Sequence, residues 1–141
     1  MLARDSDSPT RPACRKPEPT ALTRVHFSRP ERKIRHRIGA VFVVESSGAR
    51  LSGFLECGPR AYADGCSTSP VGYIEGWWVD PDSRGQGVGS LLVSAAEAWA
   101  RSRGYTEMAS DAKLGNALSQ RVHKTLGYVE TQRVVCYRKQ L

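Results

Sequence analysis

The 33 residues from Val71 to Arg103, VGYIEGWWVDPDSRGQGVGSLLVSAAEAWARSR, decide how this chain folds. Tyr73, Trp77, Trp78 and Val79 are good sheet formers, and Asp80-Pro81-Asp82-Ser83 supplies turn chemistry, so a strand is expected to stop near Val79. Arg84-Gly85-Gln86-Gly87-Val88-Gly89 follows. Bare backbone at the three glycines lets several N–H groups converge on one anion without Cβ obstruction. Val88, Leu91, Leu92, Ala95 and Trp99 then recur at helical spacing, with Arg101, Arg103 and Gly104 as C-terminal signals. The positive end of that helix faces the glycine loop, an arrangement that holds phosphate.

A Walker loop requires Gly-Lys-Ser/Thr, and no Lys follows these glycines; a dinucleotide fingerprint requires Gly where Ser90 stands. The spacing Arg84-x-x-Gly87-x-Gly89, after an apolar strand and at a helix start, resembles instead the acetyl-coenzyme A loop of the GCN5-related N-acetyltransferases. A tight connection that merely needs flexible residues is the plainer alternative for the loop taken alone.

Upstream, residues 40–44 form an apolar strand, residues 46–48 a turn and residues 51–57 a second strand, an antiparallel hairpin. Gly58-Pro59 is expected to break the ladder, leaving a loop over residues 60–70. Downstream, residues 105–110 read as a short strand with Asp111 just past it. Residues 116–126 read as a helix with Leu118, Val122 and Leu126 on one stripe and Gly127 as its cap, and residues 128–139 as a last strand. The order β-β-β-α-β-α-β predicts an α/β (α+β) protein: a mixed, mostly antiparallel sheet flanked by helices.

The 141 residues suit one domain, and the net charge of +7 is unevenly placed. Residues 1–38 hold ten Lys and Arg against four Asp and Glu, leaving eleven against ten for the rest. Residues 1–37, with five prolines and no sustained periodicity, read as a basic, poorly ordered leader; a short helix over 31–38 after Pro30 is the one element it suggests. Residues 38–141 form the folded domain. The leader has Phe27 as its only aromatic residue, which argues against a nucleic-acid arm. No pair among Cys14, Cys57, Cys66 and Cys136 has CxxC spacing and the three His form no ligand cluster, so no metal and no disulfide framework is expected. With no membrane-length apolar run and no signal-peptide core, the expectation is a cytoplasmic protein without membrane attachment.

Further motifs narrow the resemblance. Residues 62–66 (YADGC), 69–76 (SPVGYIEG), 107–111 (EMASD), 126–128 (LGY) and 133–135 (RVV) are similar to those of the aminoglycoside 6'-N-acetyltransferases, over about residues 40–141. The resemblance implies direct attack of an antibiotic amine on acetyl-CoA, used as co-substrate. It places the diphosphate on amides from Arg84 through Gly85, Gln86, Gly87, Val88 and Gly89 to Ser90, and the pantetheine arm beside Trp77, Trp78 and Val79, with the Val79 amide on the thioester carbonyl. Asn116 matches an asparagine that contacts the arm, and as a helix-start residue it also suits a cap. His123 stands where many relatives carry a tyrosine proposed to protonate the leaving thiolate; an exposed histidine without a role is the alternative.

Glu75 is the expected proton acceptor. It is a carboxylate within an apolar strand, assigned to the face of Tyr73 and Trp77, where an unpaired charge is costly. An internal salt bridge, for instance with Arg133, is the competing reading. Asp111 would attract a cationic sugar or else serve as a helix cap or turn residue, and Tyr62 and Gln132 match positions that contact the aminoglycoside. A homodimer is also implied. The family opens with a strand and two helices that wall the acceptor cleft, which are truncated or replaced here. An acetyltransferase for another small amine or a protein N-terminus is the alternative function, and a catalytically impaired remnant with a nucleic-acid-binding arm a more distant one.

Overall fold

A computed structural model describes residues 25–28, 39–46, 48 and 50–141. Five strands form one sheet in the order β1-β2-β3-β4-β5: β1 Val25–Ser28, β2 Ala40–Ser46, β3 Arg50–Arg60, β4 Val71–Val79 and β5 Met108–Ser110. Each of the first four is antiparallel to its neighbour; β5 lies parallel to β4. A single 3₁₀ turn, Pro81–Ser83, leads from β4 toward helix α1, Val88–Ser102, and helix α2, Ala117–Thr125, follows β5.

Alternation along β2 and β3 sends Ala40, Phe42, Val44, Leu55 and Cys57 to one face. There α1 lays down Val88, Leu92, Val93, Ala96, Trp99 and Ala100. Leu91, expected on this stripe, is instead 38% exposed. Asn116 caps α2, its side chain accepting from the Ser119 N–H at 3.1 Å, and Gly104 and Gly127 follow the two helices with positive φ, as the sequence suggests. Leu118 is also exposed, so α2 docks through Leu126 and the Tyr128 beyond it.

Three expectations need correction. Val25–Ser28 pairs with β2 within the segment read as lacking order; four residues are too few for a periodic pattern, and the ladder supplies the hydrogen bonds that define the strand. The short helix suggested over 31–38 lies outside the described residues. Pro59 does not break β3. It pairs with Gly72, whose N–H turns away from β3 to the Glu107 carbonyl, so the Pro59 nitrogen faces away from β4 and the β3–β4 ladder needs no donor from it. Residues 128–139 are not a strand. Val129 is 83% and Tyr137 93% exposed, and β propensity expresses fit to a half-buried pleated surface that this segment does not occupy.

Candidate active site

The site is built on β4, and its decisive local feature is a bulge. Glu56 faces Gly76 while Cys57 faces Ile74, which leaves Glu75 as the extra residue. The insertion reverses the alternation beyond it. Tyr73 packs with Ala63 and Val71 on the sheet face away from α1, whereas Ile74, Trp77 and Val79 pack toward the helix core. Trp77 therefore does not share the face of Tyr73, as strict alternation predicts, and Trp78 lies on the outer side, stacked on Phe54 with ring centroids 6.2 Å apart.

Beyond the bulge the strand has an open edge. β5 pairs only with Gly72–Ile74. The Asp80 N–H donates to the Ser52 carbonyl at 2.9 Å, and Gly53 faces Val79, so the alternation of an antiparallel ladder turns the peptide groups of Trp77 and Val79 away from β3. The Val79 carbonyl accepts from Arg84 Nε at 3.2 Å on that open side.

The connection to α1 is held from below by carboxylate chemistry. Asp80 accepts from the Asp82 N–H at 2.9 Å and from Arg50 at 2.9 Å; the Asp82 bond foremost, with Arg50 behind it, holds the Asp80 carboxyl below its usual range. Gln86 donates to the Asp82 carbonyl at 2.8 Å. Gly85 and Gly87 have φ of +74° and +86°, in the left-handed region, with no atom within 4 Å of a would-be Cβ. Gly87 is the α1 N-cap, no side chain caps the helix, and no acidic residue stands in its first turn. The N–H groups opening α1 therefore lack an internal counter-charge, a fit for an anionic diphosphate. Gly89 is needed for a different reason: a Cβ there would lie 2.8 Å from Trp77 Cζ2.

On the other face, Glu75 is gripped by Arg60, Nε to Oε1 at 2.8 Å and the guanidinium to Oε2 at 2.5 Å. The internal ion pair expected as the competing reading exists, but with Arg60; Arg133 pairs with Glu130 instead. The guanidinium also lies 3.4 Å above the Tyr73 ring centre. Burial, then the neighbouring Asp111 charge and hydrogen bond, raise the Tyr73 phenol above its ordinary range. Glu75, Arg60, Tyr73 and Asp111 thus form one cluster. Beneath it, burial first and the Glu75 charge second push the Cys57 thiol up to about 12.

His123 projects from α2 into the gap between β4 and the end of β5. Its ring meets Trp77 and Tyr128 edge-on at 5.6 Å each. The Ser119 carbonyl, 2.8 Å from Nδ1, requires a proton there, which leaves Nε2 to the Ser110 hydroxyl at 3.0 Å. It is half-buried and fully engaged rather than a free surface histidine. Tyr62 is 69% exposed and donates to Asp64 at 2.8 Å, while Thr131, the neighbour of exposed Gln132, donates to the Asp64 carbonyl at 3.1 Å. Tyr62 and Gln132 therefore belong to one rim, apart from the glycine loop.

Arg60 and Ser110 are the residues that sequence reasoning missed. Arg60 was hidden in an expected loop; the strand's continuation through Pro59 is what carries it to Glu75. Among the described residues no group of three or more His, Cys, Asp or Glu is placed to hold a metal ion, and no helix is long and apolar enough to cross a membrane.

Comparison with known proteins agrees with this arrangement. The model of the acetyltransferase (GNAT) family matches residues 4–128. The aminoglycoside N(6')-acetyltransferase type 1 of Klebsiella aerogenes is 45% identical over 105 residues, 74% of this chain and 69% of that protein. Among solved structures, the aminoglycoside N-acetyltransferase AAC(6')-Iy in complex with CoA superposes with a TM-score of 0.68 at 41% identity, covering 72% of this chain and 76% of that one. The same enzyme in complex with the bisubstrate analog CoA-S-monomethyl-acetylneamine gives a TM-score of 0.68 at 41% identity over 72% of this chain and 69% of that one.

Proposed function

The chain belongs to the acetyltransferase (GNAT) family, with aminoglycoside 6'-N-acetyltransferases as relatives, and from that premise we propose that it transfers the acetyl group of acetyl-CoA to the 6'-amine of an aminoglycoside. One observation carries the reading: β4 ends beside an uncapped helix terminus suited to a diphosphate and carries, at its bulge, a carboxylate beside Asp111 suited to a cationic amine. A single strand thus joins an anion site to a cation site.

In this assignment the amides from Arg84 to Ser90 hold the diphosphate, and the open edge at Trp77–Val79 receives the amide-bearing arm by strand-like pairing. Trp78, between them, turns its own peptide groups to β3 and keeps that edge in register. The Val79 N–H, turned toward that edge, donates to the carbonyl oxygen of the thioester as charge develops there. Asn116, at the head of α2, adds a contact to the arm. Acetyl-CoA supplies the acyl group and the thiol leaving group. The acceptor amine binds near Glu75 and Asp111, with Tyr62 and Gln132 at the rim. Glu75 takes its proton, directly or through one water, the nitrogen attacks the carbonyl carbon, and the carbon–sulfur bond breaks. With Nδ1–H kept on the Ser119 carbonyl, His123 acts as the acid when Nε2 takes up a second proton, which passes to the departing sulfur beside the Ser110 oxygen. We assign the protein to the cytoplasm as a homodimer, consistent with the exposed Val129, Val135 and Tyr137 beyond α2.

Thiol release from acetyl-CoA, followed with kanamycin and tobramycin beside a polyamine and a peptide N-terminus, tests the proposal. Turnover confined to the aminoglycosides supports it; preference for either other amine refutes the substrate, and no turnover by folded protein refutes the activity.

A further inference from the structure

Arg60 occupies the place where an acceptor's cation is expected to bind. It caps a cage: the aromatic face of Tyr73 lies 3.4 Å below its guanidinium, Glu75 holds it in a bidentate grip, and Asp111 acts on it electrostatically. An aromatic face flanked by carboxylates is the chemistry that recognises ammonium groups. Here the cation filling it belongs to the chain itself.

We propose that Arg60 is a placeholder cation, displaced when a polycationic acceptor binds, and that it thereby sets acceptor affinity and selectivity; this rests on the function proposed above. Three features support displacement. The Arg60 side chain is 43% exposed while that of Glu75 is 18% exposed, so the guanidinium sits outside its partner, on the solvent side. It is the last residue of β3, where the chain enters the stretch leading to Tyr62, and its long side chain is flexible enough to carry its charge outward. The Arg60 end of the pair is open to solvent, and an acceptor bringing several ammonium groups replaces its single charge with more than one. With Arg60 in place the two carboxylates carry one balancing charge; with it withdrawn they present two negative charges to the acceptor. A monoamine gains little from that exchange, whereas an acceptor with two or more amines satisfies both carboxylates. Arg60 thereby discriminates by charge number.

The test compares wild type with Arg60→Met and Arg60→Lys, using kanamycin in the thiol-release assay and in calorimetric titration. Arg60→Met is expected to lower the acceptor KM and Kd about fivefold, and Arg60→Lys about twofold, with the effect carried by KM rather than kcat. Unchanged or weaker acceptor binding overturns the proposal, as does a fall in kcat at constant KM, which would make Arg60 a residue that merely aligns Glu75. Melting curves identify a variant that fails to fold; Arg60→Lys, which keeps the charge and most of the packing, then decides by the same readout. Calorimetry separates the two claims: tighter kanamycin binding by Arg60→Met without turnover in any variant supports the placeholder and refutes the acetyl transfer, whereas turnover with unaltered acceptor binding does the reverse.

Discussion

Replacing Gly89 by alanine separates the geometric role of the glycine loop from its flexibility. The added methyl would stand 2.8 Å from Trp77 Cζ2, 3.6 Å from Cε2 and 3.7 Å from Val79 Cγ2, where ordinary contact begins at 3.4 Å. Either the indole or the first turn of α1 has to move by about 0.6 Å, the shortfall of 2.8 Å from 3.4 Å. Trp77 has little room, because its ring also meets His123 and its indole nitrogen is buried. Overpacking of this kind costs about 1–3 kcal/mol, and alanine's better helix propensity returns about 0.5–1 kcal/mol. The net loss is about 1 kcal/mol, a fall in melting temperature of roughly 4 °C. The functional loss is larger, because the amides at the helix start shift relative to Val79: acetyl-CoA affinity is expected to fall about tenfold. Thermal unfolding and calorimetric titration of the same protein read both. Gly85→Ala is the control, since it meets a left-handed φ penalty but no neighbouring atom. A Gly89→Ala protein with wild-type melting and wild-type cofactor affinity would refute the close seating of α1 on Trp77.

Glu75→Gln is expected to lower kcat about 100-fold while leaving acetyl-CoA binding intact, measured by thiol release and calorimetry. Leu92→Ala, which removes a fully buried side chain from the α1 stripe, should destabilise the fold by about 2–5 kcal/mol in urea denaturation. Glu107 ties the stretch before β4 to β5: it accepts from the Thr68 hydroxyl and from the N–H groups of Ser67 and Thr68, and these bonds, the Thr68 hydroxyl foremost, hold its carboxyl below the ordinary 4.5. A depressed folded value stabilises the protein above the ordinary value and ceases to do so as pH falls through the folded one. Stability should therefore decline below about pH 4.5, and Glu107→Gln should flatten that part of the profile of unfolding free energy against pH.

The strand, loop and central helix were legible because each carries its own local signal: aromatic sheet formers ending at Asp80-Pro81, glycines with no side chain to obstruct an anion, and an apolar stripe closed by Gly104. Features set by pairing were not. The bulge at Glu75 is a relation between β3 and β4, invisible along either strand alone, and it moves Trp77 to the opposite face from Tyr73. Arg60 escaped notice because Gly58-Pro59 resembles a break; a proline whose nitrogen faces away from its paired strand leaves that ladder intact. The last segment has the β-branched residues of a strand but lies exposed, and composition does not report whether a partner strand is within reach. Of the candidate site, the carboxylate at position 75 was legible as a charge in an apolar setting, while its partner was decided by packing and not by sequence distance.

The most direct test of acetyl transfer across β4 is to let the protein react with acetyl-CoA and kanamycin and locate the acetyl group on the product by NMR. A single acetyl group on the 6'-nitrogen is the expected result, abolished together with turnover in Glu75→Gln. Acetylation at another amine, or unreacted kanamycin in the presence of folded protein that binds acetyl-CoA, would contradict the account.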